Sequence, residues 1–262
     1  MIRISCVDAF TGRPFLGNPA GVCILQGRKD AGWMQQVARE MNLPETAFLF
    51  PHGEGYRLRW FTPCIEVNLC GHGTLASAHA LWEQGFCDPD LAIRFSTKSG
   101  ILTAKKRGTQ VWLNFPAEPE SPAPVPDGLF EALGVRLLYV GKNRFDYLIE
   151  VESESVVREM RPDFGMLAKI PARGFIVTSR AEKSGFDFVS RFFAPSLGIN
   201  EDPVTGSAHC CLAPFWQRHL DQSEFIAYQA SERGGEVRVR VEGDRVKLGG
   251  QAVTIWSGEL AV

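Results

Sequence analysis

Arg59-Trp60-Phe61-Thr62-Pro63 is followed, 132 positions on, by Arg191-Phe192-Phe193-Ala194-Pro195. The same ungapped shift sets Asn68 on Asn200, Ala76 on Ala208 and Cys70 on Asp202. Each run reads as a strand closed by a proline turn. Each is followed by a loop of small residues and then an apolar helix, over Thr74–Trp82 in the first copy and Thr205–Leu220 in the second. Trp82 and Trp216 stand near the ends of these helices, two positions out of register. Helices apolar on nearly every face are buried inside other structure. The chain has 262 residues, so the shift lies next to its half-length, and the pattern reads as one fold duplicated. Chance matching of common residues is the alternative, disfavoured because pattern order and helix type both repeat.

Working outward, residues 1–10 alternate as a strand, with Val22–Leu25 as antiparallel partner across a turn-rich segment. A helix is expected from Asp30, a suitable N-cap, to Met41, with Pro44 ending it. Glu45–Phe50 and Tyr56–Phe61 read as strands, and Ile93–Ser96, Gly100–Lys105 and Gln110–Phe115 as a meander. Pro116–Pro126 carries five prolines in eleven residues and reads as a linker. Beyond it, short helices over Val156–Met160 and Phe164–Lys169 alternate with strands at Asp146–Val151, Gly174–Ser179 and Asp187–Phe193, and the end of the chain alternates as antiparallel strands.

Lys plus Arg number 28 and Asp plus Glu 30, a net charge of -2 that offers no electrostatic basis for binding nucleic acid or an anionic membrane. The 45% hydrophobic and 22% charged residues are ordinary globular values, which excludes a mainly disordered chain. No apolar run is long enough to span a bilayer, and the N-terminus lacks a signal-peptide pattern. Seven cysteines, with Cys210 and Cys211 adjacent, argue against a disulfide framework and for a reducing, cytoplasmic setting. The absence of CxxC, HExxH and GxGxxG removes the usual signatures of structural zinc, metalloprotease chemistry and dinucleotide binding.

Three constellations carry chemistry. In Cys70-Gly71-His72-Gly73-Thr74, Gly71 and Gly73 let backbone approach a ligand, and His72 either contacts substrate or caps the helix. In Glu201-Asp202-Pro203-Val204-Thr205-Gly206-Ser207-Ala208, Asp202 either caps the helix or anchors a substrate amine, while Thr205, Gly206 and Ser207 offer N–H and hydroxyl groups to an anion. In Asn42-Leu43-Pro44-Glu45-Thr46-Ala47-Phe48, Glu45 opens a strand among apolar neighbours, either as a desolvated general acid/base or as a solvent-facing strand start. Cys70, at a helix start, invites a reading as an activated thiol. A paired-thiol racemase is disfavoured, because the second helix start carries Asp202 where a second cysteine would stand.

The chain resembles the PhzF-like phenazine-biosynthesis family of the diaminopimelate-epimerase-like superfamily. The resemblance is carried by Val7-Asp8-Ala9-Phe10, Gly17-Asn18-Pro19-Ala20-Gly21-Val22, the segments just named, and Gln229-Ala230-Ser231-Glu232-Arg233-Gly234-Gly235. It implies an α+β fold of two pseudo-symmetric halves, each a curved, mostly antiparallel sheet wrapped around a central helix, with the active site in the cleft between them. The halves are expected at 1–117 and 118–251, with the last strand, about 252–262, returning to the first. The activity implied is cofactor-independent isomerisation of a small carboxylate-bearing molecule of the dihydro-hydroxyanthranilate type. Glu45 matches the proton shuttle, His72 and Asp202 the groups that hold substrate, and Gly71, Gly73, Thr205, Gly206 and Ser207 the site lining; Cys70 and Asn18 are further candidates. A homodimer is implied as well. Pro44 stands where the family often has serine, and Cys70 is more typical of the racemase branch, so the substrate is the open question. The rival readings are a racemase or epimerase using Cys70 with Glu45 or Asp202 as second base, and a non-catalytic binding protein on the same fold.

Overall fold

The computed structural model describes residues 2–182 and 185–261. The chain forms two compact units, Met1–Phe115 with Leu248–Val262, and Pro116–Lys247.

In the first unit, strand Ile2–Ala9 is flanked by antiparallel partners Asn18–Ile24 and Ala252–Leu260. Asn18–Ile24 runs parallel to Glu45–His52, which pairs antiparallel with Gly55–Phe61. Gly55–Phe61 runs parallel to Ile93–Thr97, and the antiparallel strands Gly100–Arg107 and Gln110–Pro116 follow. Parallel neighbours need a crossover, and both crossovers contain a helix: Ala31–Met41 in the first and Gly71–Glu83 in the second. Asp30 caps Ala31–Met41 by accepting from Trp33 N, and the helix stops at Asn42, which takes a left-handed conformation (φ 49°). The stop therefore precedes Pro44. This helix covers one face of the sheet through Met34, Val37 and Ala38, packed on Cys23, Phe48 and Phe61. Helix Gly71–Glu83 has 10 of its 13 residues buried, as its apolar surface requires. The hydroxyls on it are satisfied by its own backbone: Thr74 Oγ1 donates to Cys70 O and Ser77 Oγ to Gly73 O.

The second unit repeats this order. Leu137–Lys142 is antiparallel to Asp146–Val151, which runs parallel to Gly174–Arg180; that strand is antiparallel to Phe188–Ala194, which runs parallel to Glu224–Gln229, and antiparallel Gly235–Glu242 follows. The first crossover carries the short helices Glu154–Glu159 and Phe164–Leu167, and the second carries Gly206–Leu220. A short antiparallel strand rides on the Arg-Phe strand of each unit, Glu66–Val67 on Gly55–Phe61 and Ile199–Asp202 on Phe188–Ala194. The repeated arginine has the same use in both. Arg59 grips Glu66 at 2.7 and 2.9 Å and lies 5.1 Å from the Phe61 ring centre. Arg191 grips Glu201 at 2.7 and 2.8 Å and lies 4.9 Å from that of Phe193.

The proline-rich run is not a free linker. Ser121–Pro122 pairs with Gly141 and Lys142, Ala117 N donates to Asp244 O, and Glu118 N donates to Cys210 O, all within the second unit. The return is equally anchored: Cβ atoms added at Gly249 and Gly250 would stand 2.9 Å from Trp112 and 2.5 Å from Phe10, both in the first unit. Of the residues expected in the last strand, Ala252–Leu260 pair with Ile2–Ala9, while Val262 lies outside the described residues, as does Met1 of the first strand.

Candidate active site

Four of the residues singled out in the sequence meet in the first unit. Glu45 opens its strand opposite Ala20. His72 is the second residue of the central helix, and its Nε2 lies 3.0 Å from Glu45 Oε2. The two side chains are 6% and 14% exposed, so the contact is largely screened from water. Asn18 Nδ2 stands 3.1 Å from His72 Nδ1 on the other side of the ring. With the amide donating, Nδ1 is an acceptor and the ring proton sits on Nε2, aimed at Glu45. Turning the amide over offers Oδ1 to a protonated Nδ1, so the same residue serves the imidazolium. Burial by itself disfavours that cation, but the Cys70 sulfur and the Glu45 carboxylate outweigh it and hold His72 well above its ordinary range.

Cys70 is the N-cap of the helix, accepting from Gly73 N at 3.3 Å. Its sulfur lies 3.6 Å from His72 Nδ1 and 3.8 Å from Nε2. The helix start does not activate this thiol: burial, followed by the Glu45 charge, pushes its pKa up. Gly71 and Gly73 form the first turn beside it. A Cβ at Gly73 would stand 2.8 Å from Trp60 Cδ1 and 2.9 Å from Cys70 Sγ, so only glycine lets the helix start sit this close to the indole.

Asp202, Thr205, Gly206 and Ser207 gather in the second unit at the start of helix Gly206–Leu220. Thr205 is its N-cap, and Thr205 Oγ1 donates to Asp202 Oδ2. Gln229 braces this turn, accepting from Thr205 N at 2.8 Å and donating to Asp202 O at 2.7 Å. Ser207 Oγ accepts from Arg173 Nη2 at 3.2 Å, and the same guanidinium holds the fully buried Asp146 through both carboxylate oxygens. Gln229, Arg173 and Asp146 were not among the candidates. Gln229 lies in a quoted motif, whereas Asp146 and Arg173 are 27 positions apart and carry no local signal.

The model for the phenazine biosynthesis-like PhzC-PhzF family matches residues 7–258. A relative from Halalkalibacterium halodurans, named an uncharacterized isomerase, is 56% identical over 258 residues, which cover 98% of this chain and 97% of the relative. The crystal structure of a PhzF-family protein from Enterococcus faecalis superposes with a TM-score of 0.95 at 38% identity, covering 100% and 99% of the two chains. A probable proline racemase from Agrobacterium radiobacter matches with a TM-score of 0.66 at 15% identity, covering 100% and 93%, and so shares the fold alone. On these matches the chain belongs to the phenazine biosynthesis-like PhzC-PhzF family, an α+β fold, and is an isomerase.

Proposed function

We propose that this isomerase works by cofactor-independent proton transfer on a small carboxylate-bearing metabolite. Glu45 takes the proton and returns it, and His72 holds the Glu45 carboxyl in place and shares its charge. Asp202 and the helix start at Thr205, Gly206 and Ser207 are assigned to holding the substrate, whose carboxylate suits the N–H groups of Gly206 and Ser207 in the first helical turn and a positive dipole end. The single observation that supports the reading best is the screened 3.0 Å contact between Glu45 and His72. Homodimer formation belongs to the same proposal and rests on the family resemblance. A reducing compartment accords with the seven free cysteines. No helix among the described residues is long and apolar enough to cross a membrane.

The test uses dihydro-hydroxyanthranilate in deuterated water, followed by NMR. The wild-type protein should place solvent deuterium on the product carbon that gains the proton. Glu45→Gln keeps size and removes acid/base capacity, and should slow turnover by about 10²–10⁴-fold. Unchanged turnover in that variant would overturn the assignment. A cysteine-assisted epimerase is the second reading, supported by the position of Cys70 Sγ against His72. It predicts the reverse sensitivity, with exchange lost in Cys70→Ser and kept in Glu45→Gln.

A further inference from the structure

Glu45, Cys70 and His72 bring three different donor atoms to one buried point. Carboxylate oxygen, thiol sulfur and imidazole nitrogen all lie within 4.8 Å of one another. In a tetrahedral zinc shell, with bonds of about 2.3 Å to sulfur and about 2.0–2.2 Å to nitrogen and oxygen, neighbouring N and O donors stand roughly 3.4 Å apart and N and S roughly 3.6 Å. Here His72 Nε2 is 3.0 Å from Glu45 Oε2 and 3.8 Å from Cys70 Sγ. Small side-chain adjustments bring all three within bonding distance of one ion. The donors are also held in place, Cys70 by the Gly73 N–H, Glu45 by its strand and His72 by Asn18.

We propose that this cluster is a zinc site and that zinc is an inhibitory ligand of the enzyme. The proposal of inhibition rests on the isomerase reading above; the binding does not. The donor set selects the metal, because thiolate with imidazole and a single carboxylate suits Zn2+ and not the oxygen-seeking Mg2+ or Ca2+. Starting from the imidazolium, loading sends the thiol proton and the Nε2 proton to solvent, leaving thiolate, carboxylate and neutral imidazole protonated on Nδ1 around a dication with no net charge. That neutrality suits a buried site. The raised pKa of the free thiol is no obstacle, since a coordinating thiol is deprotonated by the metal itself. Asn18 completes the arrangement: with Nε2 on the metal, Nδ1 carries the remaining proton and donates to the Asn18 carbonyl once the amide turns over. A carboxylate and an imidazole tied to zinc cannot exchange protons with a substrate, so occupancy stops the reaction.

Chelator-stripped full-length protein is titrated with Co2+ as a spectroscopic stand-in and with Zn2+ against a chromophoric chelator. The expected result is one equivalent of Co2+ giving a near-ultraviolet thiolate-to-cobalt charge-transfer band. Cys70→Ser should abolish the band, and His72→Ala should weaken Zn2+ binding by about 100-fold or more. Cys64→Ser, at an exposed cysteine that is not one of the three donors, should keep the band. Absence of the band in the wild-type protein overturns the proposal without needing any variant to fold, and so does a band that survives Cys70→Ser. Either failure leaves the Glu45→Gln deuterium result untouched, whereas normal turnover in Glu45→Gln overturns the isomerase assignment and leaves zinc binding standing.

Discussion

Acid should weaken this protein through one histidine outside the proposed chemistry. His209 lies on the second central helix, fully buried, and its Nδ1 donates to Thr205 O at 2.9 Å. That bond places the proton of the neutral ring on Nδ1. Nε2 has no hydrogen-bond partner among the described residues. Protonating it would bury a charge and an unmatched donor beside Phe188, and burial pushes the pKa down from 6.5 to about 4, against the smaller opposing effect of the Thr205 bond. The folded pKa is the lower one, so below pH 6.5 the unfolded chain takes up a proton that the folded chain refuses. Stability is lost as pH falls from about 6.5 towards about 4 and levels off below that. From those two values, moving from pH 8 to pH 5 removes about 2 kcal/mol through this group, and the full effect is about 3 kcal/mol. His209→Asn is the matched control, because its amide can donate to Thr205 O and cannot titrate. Urea unfolding of both proteins across this range, read as the difference of differences, removes the contributions of all other groups. The stability gap between variant and wild type should shift in favour of the variant by about 2 kcal/mol between pH 8 and pH 5. A gap constant with pH would refute the reasoning.

Two further outcomes follow from the first central helix. Gly73→Ala should destabilise the protein by about 1–3 kcal/mol, because its Cβ would meet both the Trp60 ring and Cys70 Sγ; a thermal melt indistinguishable from wild type would show that the helix start can shift. His72, held well above its ordinary range by Cys70 and Glu45 against the effect of burial, should remain imidazolium at pH values where exposed histidines are neutral. Its folded pKa is the higher one, so the stability that charge contributes is fully present below pH 6.5 and is lost as pH rises through the raised value. Histidine NMR checks the charge state and urea unfolding across pH the stability, and Glu45→Gln should move the His72 titration back down; a His72 midpoint at the ordinary value in the wild type would contradict this account.

The sequence by itself marked the duplication and the type of most of the longer elements, but not the strands Glu66–Val67, Ser121–Pro122, Ile199–Asp202 and Glu224–Gln229. The period of apolar residues, the helices apolar all round and the proline turns are local signals, and the two units accordingly share one strand order and one Arg–Glu clasp. It also marked Glu45, His72, Cys70, Asp202 and the Thr205–Ser207 turn as chemically notable, because glycines, caps and lone acids stand out against apolar neighbours, whereas Asn18 entered only through the family resemblance. Only the tertiary structure decided which of these act on one another. Glu45 and His72 meet because parallel pairing brings the strand of Glu45 beside that of Asn18 while the crossover helix presents His72 between them. The anchoring of Ser207 by Arg173 and Asp146 depends on the same kind of long-range pairing. The tertiary structure also reversed two local readings. Proline-rich residues 116–126 are tied into a sheet because Gly141 and Lys142 offer Ser121–Pro122 an edge, and the Cys70 thiol is made a weaker acid because burial and a nearby carboxylate outweigh His72 and the Gly73 N–H. Hydrogen-bond partners and desolvation are properties of what the fold places around a residue, and no window of neighbouring sequence contains them.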